Sequence, residues 1–310
     1  EYLISLYKNF GTTNQELGVE YERLPVFKSD KSTVSYYGDL GVCEILNGGE
    51  IYASDPTNVT FYEARIGEAA NYTSYETLAQ AVQAAKDNDV VQIIKEGSYD
   101  LPEFREKTLT FEGVTLDKTK TSIKDYVNKG SQGMTGSTVN FKNLTINGAN
   151  GNYNGLFHTA GVTYENCDIY GLRFLYSPTT FTNCAFNAAG VEHSFWTYGA
   201  SNVTVTGCTF TYTDRAVNCY SENGANHELD ITFSDCDFVY AGLSDEPAGA
   251  VEINSSSVKS MDVAFTNDCT APEKGEMWYI SKWDADGGDN TIVKVNGDTV
   301  FEVLPVAKIG

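Results

Sequence analysis

The sequence predicts an all-β chain organised as a β-solenoid, and three observations carry that prediction. A short phrase recurs at solenoid spacing, a capped amphipathic helix runs into a β-branched stretch just before the first coil, and a tight hairpin signal follows the last one. The phrase reads VNFKNLTI at 139–146, VTYENCDI at 162–169, TTFTNCAF at 179–186, VTVTGCTF at 203–210 and ITFSDCDF at 231–238. With Phe141, Tyr164, Phe181, Val205 and Phe233 taken as equivalent, the gaps are 23, 17, 24 and 28 residues. Looser copies centre on Phe111 (LTFEGVTL) and Phe265 (VAFTNDC). In each copy an apolar residue lies two positions after a Val, Ile or Thr, and an Asn, Gly or Asp marks a bend. Cys or Leu follows in most copies, and then Ile or Phe.

Residues 1–70 do not follow the repeat. LPVFKS, TVSYYG, GVCEIL, EIYAS and VTFYEAR read as short strands between Gly, Asn, Asp and Pro turns, so this part is expected to be a small β-rich attachment or packing module. EYLISLYKNF is read as a short helix or strand. It has neither the basic start nor the cleavage site of a signal peptide, and with Glu1 first the chain is read as a processed product or a piece of something longer.

At 71–99 the sequence is most specific. Thr73 and Glu76 have capping-box spacing, and Leu78, Ala81, Val82 and Ala85 form an apolar stripe over a helix at about 74–87. The helix stops at Asp87-Asn88-Asp89 and gives way to Val90-Val91-Gln92-Ile93-Ile94. Such a helix can cover a solenoid's open end, which otherwise invites edge pairing. The segment resembles the opening of the pectin-lyase-like superfamily, where an "AxxAAxxGD" helix end precedes a strand and a "GxY" turn. Ala81, Ala84, Ala85, Asp89, Gly97 and Tyr99 match, with Asn88 where the family usually has Gly. The resemblance covers about residues 71–300. It implies a right-handed parallel β-helix, here of about seven or eight coils. It says little about activity, because the superfamily includes lyases, hydrolases, phage tailspikes and noncatalytic adhesins.

From 100 to 138 the coils are read as irregular, and TLDKTKTSIKDYVNKGSQGMTG at 115–136 as a long loop that leaves one coil near Phe111 and returns at Val139. The stretch at 71–310 is thus expected to form one solenoid domain, ending in the hairpin signalled by Asn296-Gly297.

The formal charge of −21 argues against nucleic acid and anionic membranes as partners, and no run of about 18 apolar residues exists to span a bilayer. Of the seven cysteines, Cys167, Cys184, Cys208 and Cys236 share one slot and should stack about 4.8 Å apart. That spacing permits disulfides, but a buried ladder of free thiols acting as small hydrophobes is the favoured reading.

A second strand precedes each copy of the phrase: GLFHTA, RFLYSP, SFWTYG, AVNCYS, AVEINS and MWYISK. Alternation turns Phe195, Thr197, Val217, Cys219, Val251 and Ile253 inward. Outward, it leaves Trp196, Tyr198, Asn218, Tyr220, Glu252 and Asn254, with His158 one or two coils earlier. Aromatics, amides and a carboxylate in one strip suit a sugar, whose apolar faces stack on rings while its hydroxyls bond to polar groups. For glycosidase chemistry Glu252 is the best single candidate, with Asp214 or Glu192 as its partner. The superfamily's clustered aspartates have no clear match; its lyases use an Arg or Lys base with calcium held by carboxylates, and here Arg215 lies beside Asp214 with no second basic residue on the strip. The loop Asp284-Ala285-Asp286-Gly287-Gly288-Asp289-Asn290 is dense in oxygen ligands, so Asp284, Asp286 and Asp289 are calcium candidates. Gly288 in the third ligand place and the missing closing Glu make a plain Asp/Gly turn the better account. No other cofactor is expected.

The expected function is therefore a noncatalytic glycan- or receptor-binding solenoid, extracellular, on a bacterial cell surface or a virion. Attachment would run through 1–70, and a homo-oligomer remains an open alternative. A polysaccharide hydrolase or lyase and a purely structural spacer are the competing readings.

Overall fold

The structure is a computed structural model. It describes the backbone at 26–29, 34–38, 41–45, 51–53 and 59–60, and from 62 onward all residues except 68–70, 115–117, 126–133, 149–154, 189, 222–226, 244–248, 256–257, 283–289 and 304–310. It is all-β, with long parallel sheets and few helices, and is consistent with a parallel β-helix.

Three sheets run side by side along the chain. The largest has twelve strands, parallel from Val90–Ile93 through Asn290–Val295 and antiparallel only near its two edges. A seven-stranded sheet runs from Gly97–Asp100 to Asp237–Tyr240, and a five-stranded one from Arg173–Phe174 to Glu276–Lys282. Each repeat phrase is two strands and a bend. Thr179–Thr182 lies in the large sheet, Asn183 turns the chain, and Ala185–Ala188 continues in the second sheet.

The bend explains the Asn, Gly or Asp slot. Asn143, Asn166, Asn183, Gly207 and Asp235 all have positive φ, between 52° and 62°. These residue types tolerate left-handed backbone because they lack a branched Cβ or bond locally. At Gly207 the neighbour decides the choice too, since a Cβ there would lie 2.5 Å from Asn183 Oδ1.

The core is a set of files that pass from coil to coil. Phe141, Tyr164 and Phe181 stack at centroid spacings of 5.1 and 4.7 Å, and Phe186, Phe210 and Phe238 at 4.4 and 5.2 Å. The cysteine slot forms a third file: Cys167, Cys184, Cys208 and Cys236 are buried free thiols, and half-buried Cys269 extends the row. Each of the four buried thiols donates to the carbonyl two residues back, at 3.3 to 3.4 Å.

Two expectations change. The helix runs over Leu78–Ala84, and its capping box is Thr77 with Gln80, not Thr73 with Glu76. Thr73 is instead held in the strand Thr73–Tyr75, which pairs with Ala64–Ile66. The expected stripe of Leu78, Ala81, Val82 and Ala85 is buried. Within 100–138, Thr121–Lys124 is a strand of the seven-stranded sheet rather than loop. Its Ile123 falls in register between Tyr99 and Ile146, and burial of that side chain outweighs the polar composition around it.

Nearer the N-terminus, strands at Val26–Ser29, Val34–Gly38, Gly41–Ile45, Ile51–Ala53, Val59–Thr60 and Ala64–Ile66 lie where the apolar runs were read. The hairpin Asn290–Val295 to Asp298–Val303 turns through Asn296 and Gly297, both at positive φ. EYLISLYKNF lies outside the described residues.

Candidate functional site

The five-stranded sheet carries the site. Its strands are short, with two residues at Phe195–Trp196 and three at Val217–Cys219. Phe195, Thr197, Val217, Cys219, Val251 and Ile253 are fully buried, as expected of the inner face. Register then sets the outer row as Phe174, Trp196, Asn218, Glu252 and Tyr279.

Beside it runs an aromatic row. Phe157 meets Tyr176 at 4.1 Å, Tyr176 meets Tyr198 at 5.4 Å, and Tyr198 meets Tyr220 at 6.0 Å. The two rows are knitted together, with Phe174 5.3 Å from Tyr198 and Trp196 5.7 Å from Tyr220. Phe157, Tyr176, Trp196, Tyr198 and Tyr220 are all half-buried, so each presents part of a ring outward. Asn254, also half-buried, ends the strand Gly249–Asn254, one residue past the Cys219–Ile253 pair. His158 is not in either row. It is exposed in a turn at φ 62°, and Phe157 takes the place expected for it.

The middle of the outer row is covered. His193 and Asn218 are buried, and Glu252 is only 8% exposed. Trp196 Nε1 donates to His193 Nδ1 at 3.1 Å, and an indole N–H can only donate. The imidazole proton therefore sits on Nε2, from which it is donated to Glu252 Oε2 at 3.2 Å. Arg215 completes the cluster, donating through Nη1 to Glu252 Oε2 at 2.6 Å and through Nη2 to Asp214 at 2.9 Å and Glu192 at 3.2 Å. Nη1 also reaches the Tyr279 hydroxyl at 3.3 Å. The three carboxylates singled out from sequence thus converge on one guanidinium. His193, Tyr279, Phe157, Phe174 and Tyr176 were not singled out, although Phe174 and Tyr176 in RFLYSP match Trp196 and Tyr198 in SFWTYG position for position.

Burial alone would raise the Glu252 carboxyl. Hydrogen bonds from His193 and Ser281 and the charge of Arg215 outweigh it and hold the group at about 2. Burial would likewise lower Arg215, yet its bonds to Asp214 and Tyr279 and the Glu252 charge keep it firmly cationic. Glu252 is therefore held as an anion that accepts hydrogen bonds, the state of a nucleophile or base and not of the protonated acid that glycoside cleavage also needs.

A carboxyl depressed from 4.5 to about 2 contributes stability that is whole above pH 4.5 and is lost as pH falls toward 2. Thermal melts across that window should show a loss of about 3 kcal/mol from this group. Glu252→Gln should flatten that part of the acid limb, and an unchanged limb in the variant would refute the assignment.

Among the described residues the Asn218 side-chain oxygen and Arg215 Nε are buried without a partner. Each such group costs about 1–3 kcal/mol until a hydroxyl, an acceptor or water bonds to it. Among the described residues no group of three or more His, Cys, Asp and Glu could hold a metal ion. Asp284, Asp286 and Asp289 lie outside the described residues.

The rows and the buried cluster define an all-β protein with a mixed aromatic and polar strip on one lateral sheet. Comparison with family models, curated proteins and solved structures gave no match.

Proposed function

We propose that this chain is a noncatalytic glycan- or receptor-binding solenoid, displayed outside the cell on a bacterial surface or on a virion. The observation that carries the proposal is the half-exposed row Phe157–Tyr176–Tyr198–Tyr220 beside Trp196. Rings that recur on successive coils offer a line of apolar contacts along the strip, and they need no catalytic pair to hold a glycan. The net charge of −21 points to neutral or cationic glycans rather than polyanions.

The architecture we assign is a right-handed parallel β-helix of the pectin-lyase-like kind. The in-register parallel strands and the left-handed bends support it. Seven coils follow if each strand of the second sheet marks one. In this assignment the helix Leu78–Ala84, with its buried stripe, covers the first coil, and residues 1–70 serve attachment.

The convergence of Glu192, Asp214 and Glu252 on Arg215 favours a polysaccharide-degrading enzyme as the second reading. It is the weaker one, because Glu252 is only 8% exposed and already bonded to His193 and Arg215, which leaves it little access to a glycosidic bond.

A glycan array tests the proposal. Wild-type protein should be retained on a defined set of glycans, and Trp196→Ala should lose at least about tenfold in affinity for them. Trp196 also supports His193, so Tyr198→Ala is the companion variant and should lose a similar amount while keeping the His193–Glu252 bond. Retention indifferent to both changes would remove the strip as the binding site.

A further inference from the structure

The cysteine file changes character at its C-terminal end. In four coils one residue makes the bend before the cysteine, but the last copy, VAFTNDC, has two: Asn267 at φ 52° and Asp268 at φ 59°. The extra residue carries Cys269 outward, so its Sγ bonds to the carbonyl three residues back, Thr266, at 3.3 Å. Cys269 is half-buried, whereas Cys167, Cys184, Cys208 and Cys236 are at most 2% exposed. Its neighbour is still in register. Asp237 pairs with Thr270, and Thr270 N donates to Cys236 O at 2.8 Å, which sets the two cysteines side by side on adjacent coils.

We propose that Cys269 and Cys236 form a thiol–disulfide pair, in which Cys269 is the thiol that meets an external disulfide and Cys236 is the one that resolves it. Adjacent in-register residues of a parallel sheet are about 4.8 Å apart, inside the Cα range of a disulfide. Exposure separates this pair from the rest of the file, since exchange needs one sulfur that a reagent can reach. Contact between the two sulfurs helps as well: the Cys236 thiol hydrogen-bonds to Cys269 and favours its thiolate, against the opposing effect of burial.

With glutathione disulfide as the oxidant, the Cys269 thiolate attacks one sulfur. The Cys269–glutathione bond forms, the glutathione S–S bond breaks, and one glutathione leaves as thiolate. Cys236 attacks Cys269 Sγ and its proton passes to the second glutathione, which leaves as thiol. Two protein thiols are oxidised, one glutathione disulfide is reduced, and the two protons released end on the two glutathiones.

The test uses the full chain treated with glutathione disulfide, followed by intact mass and peptide mapping. The wild type should lose two hydrogens in mass, with the link mapped to Cys236 and Cys269. Before oxidation, iodoacetamide should label Cys269 at least about tenfold faster than the other four ladder cysteines. Cys236→Ala should stop at the first step and carry one glutathionyl group on Cys269. Cys269→Ser should neither link nor retain glutathione within the file. No mass loss in the wild type, a link through any other pair, or equal labelling across the file would each overturn the proposal.

Discussion

Asp125→Ala is expected to destabilise the protein by about 3–5 kcal/mol and lower its Tm by roughly 10 °C. Asp125 and Arg173 form an ion pair inside the fold, with side chains 0% and 2% exposed and 2.9 Å between Nε and Oδ2. The same Oδ2 accepts the Tyr164 hydroxyl at 2.9 Å, and burial together with the Asp125 charge drives that phenol far above its ordinary range. The other guanidinium nitrogens are held by the carbonyls of Gly171, Ser194 and Tyr170. Removing Asp125 leaves those bonds in place but strands the positive charge away from water, and that charge is what makes the loss large. Among the described residues Asp125 Oδ1 has no protein partner, and it borders a cavity of about 10 Å³, which is close to the space one water needs. Replacing all three members together, as Asp125→Leu, Tyr164→Phe and Arg173→Met, should cost far less than Asp125→Ala, because no lone charge or hydroxyl is left behind. Chemical denaturation of the single and triple variants checks this. A single variant within about 1 kcal/mol of wild type would show that the pair is not buried as described.

Phe210→Ala is expected to cost a similar amount, about 3–5 kcal/mol. Phe210 is fully buried, stacked on Phe186 at 4.4 Å and 6° and on Phe238 at 5.2 Å and 11°. It also lies 6.3 Å from both Phe195 and Phe233, so its removal opens a cavity that three coils share. The strands around it are fixed by backbone ladders and cannot close in to fill that space. Cys208→Ala, two residues away in a bend, removes one atom from the thiol file and should cost clearly less. The difference between the two unfolding midpoints is the measurement. Equal losses would mean that the aromatic files do not dominate the core.

Much of this fold was legible because a solenoid writes the same physical demand once per coil. The demand at Asn143, Asn166, Asn183, Gly207 and Asp235 is a left-handed bend, and few residue types meet it. The demand at Phe141, Tyr164, Phe181 and Phe233 is core volume, so the aromatic slot survives changes in the surrounding letters. Trp196, Asn218 and Glu252 could be placed on one outward row because strand alternation fixes direction even where strands are short.

What escaped the sequence lies between strands or is made by a single pair. His193 and Arg215 sit in connections of irregular length, so no period announces that they meet at Glu252. The Asp125–Arg173 pair joins residues 48 apart, one at a strand end and one facing inward where the repeat elsewhere calls for an apolar side chain. His158 was misplaced because GLFHTA is not a strand. Only Gly155 bridges to the next coil, and the turn that follows takes His158 out of the row and leaves Phe157 in it. Phe174 and Tyr176 carry a readable signal, since RFLYSP aligns with SFWTYG when Phe174 is set against Trp196.

The most direct test of the binding strip is saturation-transfer NMR with an oligosaccharide retained on the array, comparing wild type with Trp196→Ala and Tyr198→Ala. The account predicts that saturation concentrates on the C–H protons of one sugar face, as stacking on rings requires, and that it collapses in both variants while their melting temperatures show that the fold persists. Undiminished transfer in both folded variants would contradict it and move the ligand to another surface.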